Sequence, residues 1–230
     1  MTTINIRLDA MRNRLSAACA AAGRDPASVK LLAVSKTFGI EAVLEAIAAG
    51  QLAFGENYIA EGVEKIQSLR NKPGLEWHCI GPVQSNKTRL VAEHFDWVQS
   101  VDRLKIAQRL NEQRPPDMPP LQICLQINID GGANKSGVAP ADLMGLVQDV
   151  IQLPRLRLRG LMTIPEPSAD FAAACAVHAQ AKALFDQINR SGLLAKAMDT
   201  LSMGMTSDVE AAVASGSTMV RVGTAIFGGR

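Results

Sequence analysis

The sequence predicts an α/β fold: a single (β/α)8 TIM barrel over residues 1–230, with an extra N-terminal helix. Three observations lead there. Strand-like and helix-like patterns alternate along the whole chain. The strands are short apolar runs without polar alternation, as expected when both faces of a sheet are covered. The length, 230 residues, accommodates eight β/α units in one domain. A doubly wound open sheet is the alternative, but no GxGxxG follows the first strand.

The elements follow in order. Residues 3–22 place Leu8, Met11, Leu15 and Cys19 on one helical face, and Gly23 ends the run. Asp25-Pro26 makes a turn. The first strand, 31–36, precedes a helix carrying Ile40, Val43, Leu44 and Ile47. The second, 52–55, precedes a helix carrying Ile59, Val63, Ile66 and Leu69. The third, 76–81, leads to a helix over 86–94, and the fourth, 97–102, to one over 103–113. Prolines 115, 116, 119 and 120 then form a loop. The fifth strand, 121–128, is followed by a Gly-rich loop and a helix over 140–152. The sixth, 156–164, leads into a long helix, 168–190. The seventh, 198–205, precedes a helix over 207–215, which Ser207 and Glu210 open as a capping box. The eighth strand is read as 218–228.

Composition narrows the function. The formal net charge of +2, with no run of Lys or Arg, gives no reason to expect a nucleic-acid partner. Cys19, Cys79, Cys124 and Cys175 form no CxxC pair and no metal-ligand spacing with the three histidines. Cys79 and Cys124 fall in strands expected to be buried, which suits a reducing compartment. The first ten residues carry Arg7 and Asp9 and no apolar stretch of a secretory leader. No run is long enough to span a bilayer. The expectation is a cytoplasmic protein that does not contact membrane.

In a barrel of this kind the working residues gather at the C-terminal ends of the strands. Lys36 closes the first strand there, and Glu56-Asn57 follow the second. Met162 lies late in the sixth, Ser202 late in the seventh, and Arg221, Gly223 and Thr224 in the eighth. A lysine at a strand mouth can form a Schiff base with an aldehyde, once burial and a nearby cation free its lone pair. Leu31 to Val34 offer the apolar approach and Arg221 the cation. A solvated strand-end lysine is the competing explanation, and exposed lysines are common. Ser202, Gly223 and Thr224 fit a phosphate cradle after strands seven and eight, helped by the helix opening near Ser207. Ordinary turn chemistry is the competing explanation. Arg221, inside an apolar strand, needs either an ion pair with Asp208 or Glu210 or a ring nitrogen to donate to. Asn57 suits a ring hydroxyl or a helix cap, and Met162 suits a ring face or the core. His78 reads as a core histidine; the loop 134–137 is either solvated or places Lys135 as a second amine near the mouth. Together these residues describe a site for pyridoxal 5′-phosphate (PLP).

The chain resembles the YggS/PROSC family of pyridoxal phosphate homeostasis proteins over essentially its whole length. The resemblance rests on AVSKT (33–37), FGENYIAE (54–61), EWHCIGPVQSNK (76–87), NKSGV (134–138), RGLMTIP (159–165) and LSMGMTSDVEAAVASGSTMVRVGTAIFG (201–228). It implies a PLP Schiff base on Lys36, phosphate contacts around Ser202, Gly223 and Thr224, and Arg221 at the ring nitrogen. It implies a PLP carrier or regulator rather than an enzyme; the chain is expected to be a monomer, with apo PLP-dependent enzymes as recipients. The family is similar to the N-terminal barrel of alanine racemase, which brings a tyrosine base from a partner subunit. The one tyrosine here is Tyr58, beside Asn57. A PLP-dependent racemase or lyase of low activity is the alternative. Gly131-Gly132-Ala133 departs from the more polar loop of relatives and bears on Lys135.

Overall fold

The structure is a computed structural model that describes residues 2–132 and 135–229. Eight parallel strands close into a barrel in sequence order. They are β1 (Lys30–Val34), β2 (Ala53–Glu56), β3 (Glu76–Cys79), β4 (Trp97–Val101), β5 (Leu121–Ile127), β6 (Leu156–Thr163), β7 (Thr200–Ser202) and β8 (Met219–Val222). The ring shuts between β1 and β8, where Lys30 pairs with Met219 and Leu32 with Arg221. Helix α1 (Thr3–Ala21) precedes the barrel. Helices α2 (Ile40–Ala48), α3 (Ile59–Ser68), α4 (Thr88–His94), α5 (Leu104–Gln113), α6 (Leu143–Val150), α7 (Phe171–Arg190) and α8 (Val209–Ala214) follow the first seven strands. A short helix, α9 (Thr224–Phe227), follows β8.

Why these residues form these elements follows from burial. Leu8, Met11, Leu15 and Cys19 of α1 all turn inward, joined by Ile4 and Ala18. The stripe packs α1 against α8 and α9, so the extra helix covers the seam of the ring. All five residues of β4 are buried, as a strand covered on both faces requires. Leu32, Val34, Ala53, Ile80 and Met219 form one cluster inside the barrel. Trp97, Cys124 and Met162 form another. The remaining apolar strand residues, such as Ala33, Phe54 and Val98, face the helices in the main core. The proline segment 114–120 is a loop between α5 and β5, tied by Arg114, which donates to the carbonyls of Pro119, Ala92 and Phe95.

Two sequence expectations need correction. The eighth strand ends at Val222, not at residue 228. β7 and β1 offer no ladder partners beyond that point, and the chain turns into α9 with Ile226 and Phe227 donating to the Gly223 carbonyl. The capping box at Ser207 and Glu210 is not formed. Asp208 is the N-cap of α8, and its Oδ1 accepts from the Met205 N–H at 2.6 Å. Glu210 instead takes a two-pronged bond from Arg14 of α1, 2.7 Å on each side.

Gly160 shows how tightly the ring is drawn. A Cβ there would lie 1.5 Å from the Thr200 carbonyl oxygen on the neighbouring strand. Gly160→Ala is therefore expected to destabilise the barrel by about 3 kcal/mol or more, because the obstacle is backbone and cannot rotate away. Chemical denaturation checks this; an unchanged midpoint would show that β6 and β7 do not meet as described.

Candidate functional site

A cavity of about 600 Å³ opens at the C-terminal ends of the strands. Val34, Ile80, Ile164 and Met205 give it apolar walls. Lys36, Asn57, Thr206, Ser207, Arg221, Gly223 and Thr224 bring the polar groups. Residues from opposite ends of the chain meet here because β1 and β8 are neighbours in the closed ring.

Lys36 lies two residues beyond β1 and reaches the cavity from an exposed position. The half-buried amine expected from the sequence is not what the fold provides; it provides location. Asn57 follows β2 and is half-buried on the cavity wall. It does not cap α3, whose N-cap is Tyr58 with no side-chain bond. Its backbone is held close to the loop after β3: a Cβ on Gly81 would fall 2.1 Å from the Asn57 carbonyl oxygen.

Arg221 is the buried charge of the site, 4% exposed. Its Nη1 donates to the Ser202 carbonyl and hydroxyl at 2.8 Å each, and its Nη2 to the Thr163 carbonyl at 2.8 Å. Neither expected carboxylate pairs with it. Asp208 Oδ2 lies 2.9 Å from His178 Nε2, and Glu210 belongs to Arg14. Burial lowers the Arg221 guanidinium to about 10, which leaves it charged at neutral pH. An arginine this buried, bonded only to neutral acceptors and open to a cavity, suits an uncharged acceptor or an anion there.

Gly223 and Thr224 stand beside it. A Cβ on Gly223 would lie 3.2 Å from the Val34 carbonyl, so a side chain would crowd the seam of the ring. Thr224 Oγ1 faces Thr206 Oγ1 at 3.5 Å. The loop carrying Thr206 and Ser207 is fixed from three sides. Arg14 donates to the Thr206 carbonyl at 2.8 Å, Asp208 accepts from Met205, and His178 holds Asp208.

Two expected site residues lie elsewhere. Ser202 is fully buried and does not line the cavity. It sits in register with Met219, one layer below Arg221, and its hydroxyl donates to Gln99 Oε1 at 2.6 Å. Met162, also fully buried, packs with Trp97 and Cys124 inside the barrel. Both touch the site through Arg221 or the core, not directly. Conversely, Thr206 and Ser207 reach the cavity though the sequence pattern assigns Ser207 to a cap. The readable signal was a Thr-Ser pair just after the seventh strand, where barrels bind phosphate.

Beneath the mouth runs a chain of hydrogen bonds. Arg221 donates to Ser202 and Ser202 to Gln99. Gln99 Nε2 lies 2.9 Å from His78 Nδ1, and His78 Nε2 lies 2.7 Å from Glu76 Oε1. Glu76 also accepts from Lys30 at 2.7 Å. His78 is thus the core histidine the sequence suggested, stacked 5.0 Å from Trp97 and kept neutral by burial. Lys135 lies beside a smaller adjoining cavity, bonded to Asp130 at 2.7 Å and near Glu166 at 3.1 Å. Ala133 and Asn134 of its loop lie outside the described residues. Among the described residues no three His, Cys, Asp or Glu side chains could share a metal ion, and no helix is long and apolar enough to cross a membrane.

The chain and its fold have known relatives. Residues 6–230 match the alanine racemase N-terminal domain. The structure superposes on alanine racemase from E. faecalis with a TM-score of 0.70 at 17% identity, over 96% of this chain and 58% of that one, a likeness of fold. The class is therefore an alanine-racemase-type barrel. The pyridoxal phosphate homeostasis protein of Pseudomonas aeruginosa is 56% identical over 230 residues, covering 100% of this chain and 97% of that protein. The one from Escherichia coli is 52% identical over 234 residues, covering 100% and 98%. PipY of Synechococcus elongatus, solved with PLP bound, gives a TM-score of 0.85 at 38% identity over 98% of this chain and 100% of that one. Within that class, the chain belongs to the family of pyridoxal phosphate homeostasis proteins.

Glu76 offers a pH test of the hydrogen-bonded chain. Burial pushes its carboxyl up, but the bonds from His78 and Lys30 outweigh that and hold it at about 2. A depressed folded value stabilises above the ordinary carboxylate range and is lost as pH falls toward 2. Relative to Glu76→Gln, the wild-type chain should be more stable at neutral pH, with the gap closing between about pH 4.5 and 2. Urea unfolding across that range checks this; a constant gap would contradict the assignment.

Proposed function

We propose that this chain binds PLP at the barrel mouth through a reversible covalent bond to Lys36, and serves PLP homeostasis as a carrier or regulator without strong catalysis. The observation that carries the reading is the pairing, in one cavity, of the Lys36 amine with the buried Arg221 guanidinium. When bound, PLP supplies an aldehyde, a phosphate and a ring nitrogen. The residues present fit all three. Lys36 is the amine. Gly223, Thr224, Thr206 and Ser207 form a neutral cradle for the phosphate. Arg221, which keeps its proton, donates to the ring nitrogen and so leaves that nitrogen unprotonated and the ring a weak electron sink. Asn57 suits the ring hydroxyl. The names and bound ligand of the relatives support the same reading.

The alternative, a PLP-dependent racemase or lyase, asks for a second acid–base group. Lys36 and Arg221 are the ionisable residues that line the cavity among those described. Tyr58 is exposed and outside that lining. Lys135 is held by Asp130 and Glu166, with its amine pushed up by them against the effect of burial. We read the protein as a monomer acting in the cytoplasm, with apo PLP-dependent enzymes as recipients.

Two measurements test the reading. In a spectroscopic titration, pyridoxal should bind at least about tenfold more weakly than PLP, because it lacks the group the cradle bonds to. Thr224→Ala should weaken PLP binding by about 1 kcal/mol. Equal affinity for pyridoxal and PLP would remove the cradle from the site. In heavy water, alanine, serine and glutamate should exchange their α-protons far more slowly than about 1 per second on the PLP-loaded protein. Exchange at that rate or faster would make the protein an enzyme.

A further inference from the structure

We infer that Lys65, with Glu61 and Glu56, is a positioning device for Lys36: a buried ion triad on α3 and β2 that holds the turn from which the Lys36 amine enters the cavity. The inference rests on the reading that Lys36 carries PLP. It begins with a backbone anomaly. Thr37, immediately after Lys36, is the non-glycine residue with a positive φ among those described, at 69°. Left-handed backbone at a β-branched residue is a conformation the chain does not choose unaided.

What holds it is on both sides of Lys36. The Thr37 N–H donates to Glu61 Oε1 at 2.5 Å. The Ser35 carbonyl accepts from Lys65 Nζ at 2.7 Å. The same ammonium bonds Glu61 Oε1 and Glu56 Oε1, each at 2.7 Å, and the Ser35 hydroxyl donates to Glu56 Oε1 at 2.6 Å. The peptide groups flanking Lys36 are therefore both tied to one buried cluster. Its core is buried: the Lys65 side chain is 4% exposed and that of Glu56 0%. Gly62 makes the reach possible. A Cβ there would come 2.6 Å from the Phe95 ring and 3.1 Å from Glu56 Cβ, so only glycine lets α3 settle this close to the barrel.

The cluster is not explained by stability. A lysine buried between carboxylates repays its desolvation only in part, and an apolar side chain of similar volume would serve a core as well. It is explained by geometry. The triad fixes a turn that the sequence disfavours, and that turn sets the direction of the one side chain that must meet an aldehyde. Removing Lys65 strands a buried Glu56, so Glu61, 27% exposed, is the residue to change.

The test compares wild type, Glu61→Ala, and Glu61→Ala with Thr37→Gly. Glycine adopts the left-handed conformation freely, so it should replace the clamp. Each protein is incubated with PLP, reduced with borohydride, and assayed for label at Lys36; amide hydrogen exchange at residue 37 is followed in parallel without ligand. Glu61→Ala should lower the labelling rate about tenfold and expose the residue 37 amide to exchange. The double variant should recover most of the labelling with the amide still unprotected. Unchanged labelling in Glu61→Ala, or a loss that Thr37→Gly does not restore, would overturn the inference. If wild-type Lys36 takes no label, the functional reading fails; a Thr37 amide that then exchanges equally in wild type and Glu61→Ala would overturn the clamp separately.

Discussion

The ladder between β1 and β8 is the constraint on which the site depends. It sets Leu32 beside Arg221 and Ala33 beside Val222. Lys36 therefore leaves the sheet next to Gly223 and Thr224, although nearly two hundred residues separate them in sequence. The seam is close enough that Gly223 could not carry a side chain without crowding the Val34 carbonyl. Helix α1 lies over the same seam, and through Arg14 it fixes both Glu210 and the Thr206 carbonyl. The element outside the eight-fold repeat thus helps shape the cavity.

The second organising feature is a cation held by neutral groups. Arg221 replaces its lost water with two carbonyls and a serine hydroxyl, not with a carboxylate. No carboxylate bonds it directly among the described residues, and a chain of hydrogen bonds runs inward from it through Ser202, Gln99 and His78 to Glu76, at the opposite end of the barrel. Each link has the donor on the mouth side, with His78 neutral, so the dipoles reinforce one another. Such an arginine keeps its own proton at neutral pH while it donates to a neutral acceptor or an anion in the cavity.

Much of this was legible in the sequence, for physical reasons that differ by element. The eight β/α alternations are readable because strands covered on both faces are mostly apolar, as in β1 (Lys30–Val34) and β8 (Met219–Val222). The α1 stripe is readable because its period is strong. Lys36, Asn57, Arg221, Gly223 and Thr224 stand out as polar or small residues at strand ends, and the cavity collects all of them. Ser202 and Met162 carry the same signal, yet each lies a layer too deep, and depth is set by barrel stagger, which periodicity does not report. The end of β8 was misplaced because Ala225, Ile226 and Phe227 suit a strand as well as a short helix. Ser207 was misassigned because a capping box and a cavity-facing serine look alike until Asp208 is seen to be the cap. In the triad, Glu56 stands out at a strand end, but Glu61 and Lys65 look like ordinary helix charges, so the sequence does not show that they join it.

The central claim is that the closed ring delivers Lys36 to PLP opposite Arg221. The most direct measurement is mass mapping after reduction. Purified protein is mixed with PLP, reduced with borohydride and digested, and the modified peptide is identified. The expected result is one PLP-derived mass addition, on the peptide containing Lys36, accompanied by loss of the visible absorbance band. Label on Lys135 or another lysine, with Lys36 unmodified, would contradict it.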